Sequence, residues 1–349
     1  MWKKNIVQKG TEEATYHIGE KRMKKKILKI LKIVVLGYVA LQVILSLLCA
    51  LLHSTYFKEK YEQIQPYGEL VDVFDGKMHI TQAGKGETTI VLLPGLGEGL
   101  PSADFAPLIR ELSKDYRVVC VDYFGVGFSS ETSRERTCSN YVEEIREVLK
   151  NANIEGPYVL MPHSISSLYC EYYTSCYPDE VNAIISLDGS SSAYNEAMPN
   201  ILKKVMPILY KLQGFCGAEV NTMLTTNKKQ WMDEYGYTEK EVDDYIIYQG
   251  FAINNNLIET SISTDVLIKD VMALEYPIEV PYHKIISEYT YTHNAGNISR
   301  EQYHMEHLER VGAEDSYTIL DGTHFIYRNN AEEICRIVKE FLDETKFGT

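Results

Sequence analysis

This 349-residue chain has no closely paired cysteines, and the part after residue 32, here called the body, has no excess of basic charge. Its seven cysteines are scattered singly and none forms a CxxC pair, which argues against a zinc site and against a disulfide framework. Beyond residue 32 the chain carries 25 Lys and Arg against 46 Asp and Glu, so an acidic body should repel nucleic acid. We therefore expect no nucleic-acid partner, no metal and no other cofactor.

The N-terminus departs from this acidic composition. Residues 1–32 form a tail with ten Lys and Arg against three Asp and Glu, and residues 33–52 then contain twenty residues without a charge. As a helix this run rises about 30 Å, the thickness of a bilayer core. We therefore predict a transmembrane helix over residues 33–52 and a polar stalk over residues 53–66.

The basic tail sets the predicted orientation, because positively charged flanks stay in the cytoplasm. Everything after His53 would then lie outside the cytoplasm. A buried globular helix is an alternative, although few soluble helices are apolar on all sides for five turns. A cleaved signal peptide is another, but no small-x-small cleavage site follows the run.

From Tyr67 onward the pattern predicts strands that alternate with helices. A β-hairpin is predicted over residues 69–81 around an Asp75-Gly76 turn. Short apolar runs then predict buried strands over residues 89–93, 117–122, 183–188, 283–287 and 316–320, and another that begins at Tyr158 and stops at Ser164. Such alternation indicates a mostly parallel sheet with helices on both faces. About ninety mostly helical residues, 189–279, interrupt it and should form a cap, leaving 67–188 and 280–349 as the core.

The stretch that carries chemistry is residues 158–169, a buried strand that stops at Ser164 and turns directly into a helix. This is the pattern of a nucleophile elbow, in which a serine is exposed at a helix N-terminus that favours developing negative charge. The usual elbow has glycine two residues before and two after the serine. Here those positions hold Pro162 and Ser166, and Ser166 is the smaller departure. An ordinary serine at the start of a helix is the alternative interpretation.

Four separate motifs now resemble the α/β-hydrolase superfamily, in the large group with a helical cap. Residues 94–99 resemble its first oxyanion loop, and residues 122–129 resemble its D-x-x-G-x-G-x-S turn. His163-Ser164 stands at the elbow, and Gly322-Thr323-His324 stands where the family has its late histidine. The resemblance covers residues 67–345 and implies an α/β-hydrolase fold, with partners in the order serine, acid, histidine.

The resemblance implies a role for each matched residue. Ser164 would be the nucleophile and His324 its base, because strand ends gather at one edge of a parallel sheet. The backbone N–H groups of Leu96 and Ile165 would form the oxyanion hole. His163 is expected to pack beside the elbow. His304 and His307, one helical turn apart, suggest a metal site less than a solvated helix face.

The acid stays open between two carboxylates. The family usually places it just beyond the strand that ends near Ser287, where Glu288 is the nearest candidate. Asp188 ends the preceding strand, where some members carry their acid, and Gly189 follows it as a hinge. We favour Asp188, with Glu288 as the alternative.

These expectations amount to a membrane-anchored serine hydrolase that cleaves an ester or amide of a small or lipid-like substrate through an acyl-enzyme. A serine at the elbow argues against the dehalogenase and epoxide-hydrolase branches, which need a carboxylate there. A small-peptide aminopeptidase of the same fold is one alternative. A non-catalytic binding or sensing module is the other, since Pro162 departs from the elbow pattern.

Overall fold

Eight strands form one sheet, and in the computed structural model they lie in the order β1-β2-β4-β3-β5-β6-β7-β8. The structure describes residues 2–193, 199–293 and 298–345, with side chains from residue 23 onward. The strands are β1 (Glu69–Val73), β2 (Gly76–Ala83), β3 (Thr89–Leu93), β4 (Arg117–Val121), β5 (Tyr158–Pro162), β6 (Val181–Leu187), β7 (Tyr282–Ser287) and β8 (Tyr317–Leu320). The β1–β2 and β2–β4 pairs are antiparallel, and the other five pairs are parallel.

The burial of the central strands explains why the sheet is parallel there. All five residues of β3 and all five of β5 are buried, as expected of strands that are covered on both faces. Ile90 and Leu92 belong to one hydrophobic cluster, whereas Val91 and Leu93 belong to the other. Successive side chains of β3 thus enter opposite cores, and the predicted hairpin and mostly parallel sheet are confirmed.

Helices supply the other half of each core. In chain order they are α1 (Trp2–Leu52), α2 (Lys58–Gln63), α3 (Pro101–Asp104), α4 (Ala106–Leu112), α5 (Cys138–Asn151), α6 (Ser166–Cys176), α7 (Asn200–Cys216), α8 (Glu219–Thr225), α9 (Lys228–Asp233), α10 (Glu239–Phe251), α11 (Asn255–Ile262), α12 (Thr264–Met272), α13 (Glu288–Thr292), α14 (Arg300–Arg310) and α15 (Ala331–Thr345). Helices α5, α6, α12 and α14 contribute to one core, and α4 and α15 contribute to the other.

Six of these helices, α7 to α12, lie between β6 and β7 in the chain and form the helical insertion. Its own aromatic core contains Trp231, Tyr237 and Tyr245, which pack with Leu100 and Ala103 in the segment after β3. The insertion therefore packs on a loop at the carboxyl ends of the parallel strands, where the predicted site residues also lie.

The chain divides into two compact units, Met1–Leu52 and His53–Thr349. In the first unit, the part of α1 that has described side chains is almost entirely exposed although it is strongly apolar. The helical stretch Met23–Gln63 includes a segment long and apolar enough to cross a membrane. Its length and composition fit a membrane anchor and an N-terminal signal sequence alike.

Most of the segment predicted as a stalk is helical and belongs to the second unit. A π-helical turn, His53–Phe57, leads into α2, and Phe57 is buried. The Tyr61 ring stacks on Phe251 of the insertion with the ring centroids 4.2 Å apart. Aromatic contacts of this kind account for the order in a segment whose sequence is mostly polar.

A buried ion pair holds the loop that follows His324. Arg328 donates from Nε to Asp104 Oδ1 and from Nη2 to Asp104 Oδ2, both over 2.7 Å. Tyr327 also donates to Asp104 Oδ2 over 2.9 Å, and Arg328 Nη2 donates to the Tyr245 hydroxyl over 2.9 Å. Since the Asp104 side chain is wholly buried, this bidentate pair ties α3, the insertion and the histidine loop together.

We expect Asp104→Ala to lower the free energy of unfolding by about 3–5 kcal/mol, because it leaves the Arg328 guanidinium buried without its partner. Glu333→Ala is the matched control, since it removes an exposed pairing with Arg336 and should cost less than about 1 kcal/mol. Denaturant unfolding of both variants measures the difference. Equal effects would show that the Asp104–Arg328 pair does not support the fold.

Candidate active site

The backbone at Ser164 is held in a conformation that most residues avoid. Strand β5 ends at Pro162, α6 begins at Ser166, and Ser164 between them has φ of 53°. Its N–H donates to Leu187 O over 3.2 Å, and its carbonyl accepts the N–H of Ser190 over 3.0 Å. The left-handed turn thus directs the Ser164 side chain away from the sheet, at the N-terminal end of α6, as an elbow requires.

The two residues that replace the usual glycines are accommodated in different ways. Pro162 has no N–H, and the β5–β6 ladder runs only from Tyr158 to Leu160 before it resumes as a single bridge between His163 and Leu187. Ser166 is completely buried, but its hydroxyl donates to Pro94 O over 2.5 Å and lies 2.8 Å from the Tyr123 hydroxyl. Neither residue prevents the turn.

Ser164, His324 and Asp188 form a continuous chain of hydrogen bonds. His324 Nε2 lies 2.8 Å from Ser164 Oγ, and His324 Nδ1 lies 2.7 Å from Asp188 Oδ2. The three residues come from the turns after β5, β6 and β8, which the parallel sheet brings to one edge. Such an arrangement allows a histidine to take the serine proton while the carboxylate orients the ring.

Asp188 is fixed by more than His324. Its Oδ1 accepts the Ser287 N–H over 3.0 Å and the Thr290 hydroxyl over 2.5 Å, and its Oδ2 accepts the Ser287 hydroxyl over 3.0 Å. Burial raises the pKa of the Asp188 carboxyl, but the hydrogen bonds from His324, Thr290 and Ser287 outweigh it and hold that pKa below its usual value. Asp188 is thus an ionised, immobile partner for the imidazole.

Glu288, the alternative acid, lies elsewhere. It is the exposed first residue of α13, and the Ser287 hydroxyl accepts the Thr290 N–H over 3.1 Å to cap that helix. Within the described part of the chain, the only carboxylate that hydrogen-bonds the His324 ring is that of Asp188. At the place where the family usually has its acid, Ser287 at the end of β7 and Thr290 of α13 instead hold Asp188.

A second histidine–carboxylate pair, which the sequence did not reveal, lies next to Ser164. His163 and Glu98 are both buried, and His163 Nδ1 contacts Glu98 Oε1. His163 Nε2 lies 2.9 Å from the backbone oxygen of His324, and Glu98 Oε1 also accepts the Gly95 N–H over 2.8 Å. This pair therefore connects the elbow, the histidine loop and the loop that contains Leu96.

The protonation of His163 follows from its partners. Both the Glu98 carboxylate and the His324 carbonyl can accept hydrogen bonds, so a doubly protonated His163 ring would donate to both. Burial alone would lower the pKa of His163, but the adjacent Glu98 carboxylate and the hydrogen bonds to Glu98 and to His324 O raise it. Spacing gave no signal for this pair, because 65 residues separate Glu98 from His163.

The predicted oxyanion donors lie in loops that can approach a reacting group. Among the described residues, neither the Leu96 N–H nor the Ile165 N–H donates to a protein acceptor. Gly95 makes the close approach possible, since a Cβ there would lie 2.7 Å from His163 Nδ1 and 3.0 Å from Ser164 Cβ. A cavity of about 20 Å³ lies beside Leu96 and Ile165, which is room for about one water molecule.

The prediction that His304 and His307 lie on a solvated helix face is wrong, because α14 turns both rings inward. His307 Nε2 donates to Glu171 Oε1 over 2.7 Å, and Lys284 Nζ donates to His307 Nδ1 over 2.8 Å. Burial lowers the pKa of Lys284 to about 7. Buried polar partners on other elements, which helical spacing does not reveal, thus compensate the His307 ring, whereas neither ring nitrogen of His304 has a hydrogen-bond partner among the described residues.

Comparison with known proteins identifies the fold. Residues 88–250 match the family described as alpha/beta hydrolase fold. An epoxide hydrolase from Vigna radiata has the same fold, with a TM-score of 0.60 and 18% identity over 81% of this chain and 99% of that one. The chain therefore has the α/β-hydrolase fold. Its elbow residue is a serine.

Two curated relatives match this chain over part of their length. The uncharacterized protein YbdG of Bacillus subtilis is 32% identical over 164 residues, which are 47% of this chain and 50% of YbdG. The (E)-2-((N-methylformamido)methylene)succinate hydrolase of Acinetobacter baylyi is 26% identical over 171 residues, 46% of this chain and 64% of that enzyme. The chain thus spans about half of YbdG and under two thirds of the second relative.

Exchanging each candidate acid for its amide tests the assignment of Asp188. We expect Asp188→Asn to slow the reaction of Ser164 with a fluorophosphonate by up to about 10⁴-fold, because His324 loses the partner that sets its tautomer. Glu288→Gln is the matched control and should change the rate at most a few-fold. A larger loss in the Glu288 variant would transfer the role to that residue.

Glu98→Gln tests whether the pair behind the elbow positions His324. Removing the negative charge should lower the pKa of His163 and weaken its contacts with residue 98 and with the His324 carbonyl, so the histidine loop should shift. We expect the fluorophosphonate rate to fall, by up to about 10²-fold for a displacement near 1 Å. Glu87→Gln, at an exposed position, is the control. An unchanged rate in Glu98→Gln would mean that this pair serves packing alone.

Proposed function

We propose that the chain is a membrane-anchored serine hydrolase that cleaves an ester or amide of a small or lipid-like substrate through an acyl-enzyme. The observation that carries the proposal is the hydrogen-bond chain from Ser164 through His324 to Asp188 at a partly buried elbow. The Acinetobacter relative is named a hydrolase, which supports the general reaction. A serine nucleophile separates this chain from an epoxide hydrolase that needs a carboxylate there.

In the first step the Ser164 hydroxyl attacks the substrate carbonyl while His324 Nε2 takes its proton. Asp188 stabilises the imidazolium that forms, since it already lies 2.7 Å from Nδ1 and is ionised. The N–H groups of Leu96 and Ile165, which have no protein acceptor among the described residues, would bind the developing oxyanion. His324 then gives the proton to the leaving group, and an acyl-enzyme remains on Ser164.

In the second step a water molecule attacks the acyl-enzyme, with His324 as the base again and Ser164 as the leaving group. The part-exposed His324 ring, whose side chain is 37% exposed, is accessible to that water. Because the cavity beside Leu96 and Ile165 is small, a short acyl group is the best first substrate to assay.

Membrane anchoring is the second part of the proposal. It is supported by the exposed apolar stretch of α1 and by the basic block that precedes it, which favours a cytoplasmic N-terminus and a body outside the cytoplasm. A lipid-like substrate in the same membrane could then reach the enzyme by diffusion within the plane of the bilayer.

Ser164→Ala should abolish both fluorophosphonate labelling and the hydrolysis of a short-chain activated ester, with a loss of at least about 10³-fold. The change removes one hydroxyl and no core volume, so the free energy of unfolding should change by less than about 1 kcal/mol. Ser113→Ala, a serine of α4's C-terminal end, should keep the parent activity. Full labelling of the Ser164 variant would exclude the acyl-enzyme, and a parent chain that never labels would favour a non-catalytic module.

A further inference from the structure

Helix α7 exposes an apolar face although it lies on a folded body. It is 17 residues long, and none of its residues is buried. One stripe along the helix consists of large apolar side chains that are all exposed: Ile201, Leu202, Val205, Ile208, Leu209, Leu212 and Phe215. The exposure of Ile208, at 67%, and of Phe215, at 61%, shows that the stripe has no partner within the described part of the chain.

The opposite side of α7 is the side that contacts the body, and it is less apolar. Lys203 donates to Asp265 of α12 over 2.6 Å, and a Cβ on Gly214 would lie 3.4 Å from Ile253. Met206, Pro207 and Tyr210 complete this partly buried side. In water the hydrophobic effect would favour burial of the more apolar face of α7 against the body. Because the more apolar face instead points outward, the orientation of α7 indicates an apolar environment outside the protein.

Charge and sequence continuation show what kind of environment this is. Lys204 and Lys211, seven residues apart, are exposed along one margin of the stripe, although the body as a whole is acidic. Helix α8 follows and adds exposed Met223 and Leu224, at 49% and 77%. An apolar helix face with lysines at its margin is typical of helices that lie in a membrane interface.

The C-terminal end of α7 lies where the chain enters the body. His53, the residue after α1, has its Nδ1 3.0 Å from Glu219 Oε1 in α8. A Cβ on Gly217, directly after α7, would lie 2.6 Å from the same nitrogen. The stripe therefore ends within a few ångströms of the residue that follows the apolar N-terminal helix.

We propose that the apolar face of α7, with Met223 and Leu224 of α8, inserts into the lipid surface of the membrane that α1 crosses. This proposal rests on the membrane anchoring proposed above, but not on the serine chemistry. Lys204 and Lys211 would contact anionic headgroups while the apolar stripe enters the acyl boundary. The face would thereby hold the insertion, and the site beneath it, against the bilayer.

Quenching of tryptophan fluorescence by brominated lipid tests this in the full chain. The chain is reconstituted into vesicles of phosphatidylcholine and phosphatidylglycerol, with or without bromine on the acyl chains. The fluorescence of the introduced tryptophan is the emission of the variant minus that of the parent chain. For Leu212→Trp, and independently for Phe215→Trp, most of this fluorescence should be lost in brominated vesicles. Met272→Trp is the matched control, because it is a 48%-exposed apolar position on α12, and its added emission should be unchanged.

Two further measurements separate the possible failures. Flotation with the vesicles reports anchoring, and fluorophosphonate labelling of Ser164 reports the chemistry and the folding of each variant. If the chain floats but position 212 is not quenched by bromine, the α7 proposal is wrong while the anchor stands. If position 212 is shielded from aqueous acrylamide but not quenched by bromine, a second copy covers the face and the proposal is again wrong. A chain that does not float overturns both.

Discussion

The site depends on the parallel alignment of β5, β6 and β8, whose carboxyl ends reach the same edge of the sheet. Ser164, Asp188 and His324 each follow one of these ends and are far apart in sequence. Both Ser164, with φ of 53°, and Asp188, with φ of 46°, turn away from their strands in the left-handed region. These turns cost free energy that the packed sheet must supply, and they direct the two side chains toward the same imidazole.

The loops at this edge are held by charge pairs that are buried. Asp104 binds Arg328 just after His324, and Glu98 binds His163 just before Ser164. Each pair joins the segment after β3 to a segment that carries part of the site. A buried pair adds little net stability but is costly to break, so such pairs specify geometry more than they strengthen the fold.

The helical insertion has two faces with different surroundings. Its α9 and α10 residues pack on the loop after β3, close to the site. Its α7 stripe points away from the body and is apolar, with lysines at one margin. If that stripe lies in a membrane, the insertion joins a lipid surface to the edge of the sheet that carries the candidate site, which would suit a substrate that resides in lipid.

The candidate role of His324 came from the family resemblance, whereas local patterns in the sequence were sufficient to predict the strands, the hairpin and the elbow serine. These features depend on the period of apolar residues and on turns that involve neighbouring residues. The sequence could also name Asp188 and Glu288 as candidates for the acid, because both stand at strand ends. The sequence gives no physical reason to choose between the two carboxylates, because the choice depends on which of them Ser287 and Thr290 bind.

Only the tertiary structure decided the features that depend on distant partners. His163 has an acidic partner 65 residues away, and His307 is buried because Glu171 and Lys284 compensate its ring. The segment after α1 is ordered by aromatic rings of the insertion, which its own polar sequence does not suggest. The direction of the α7 stripe was equally invisible, because helical periodicity defines a face but not the environment to which the face turns.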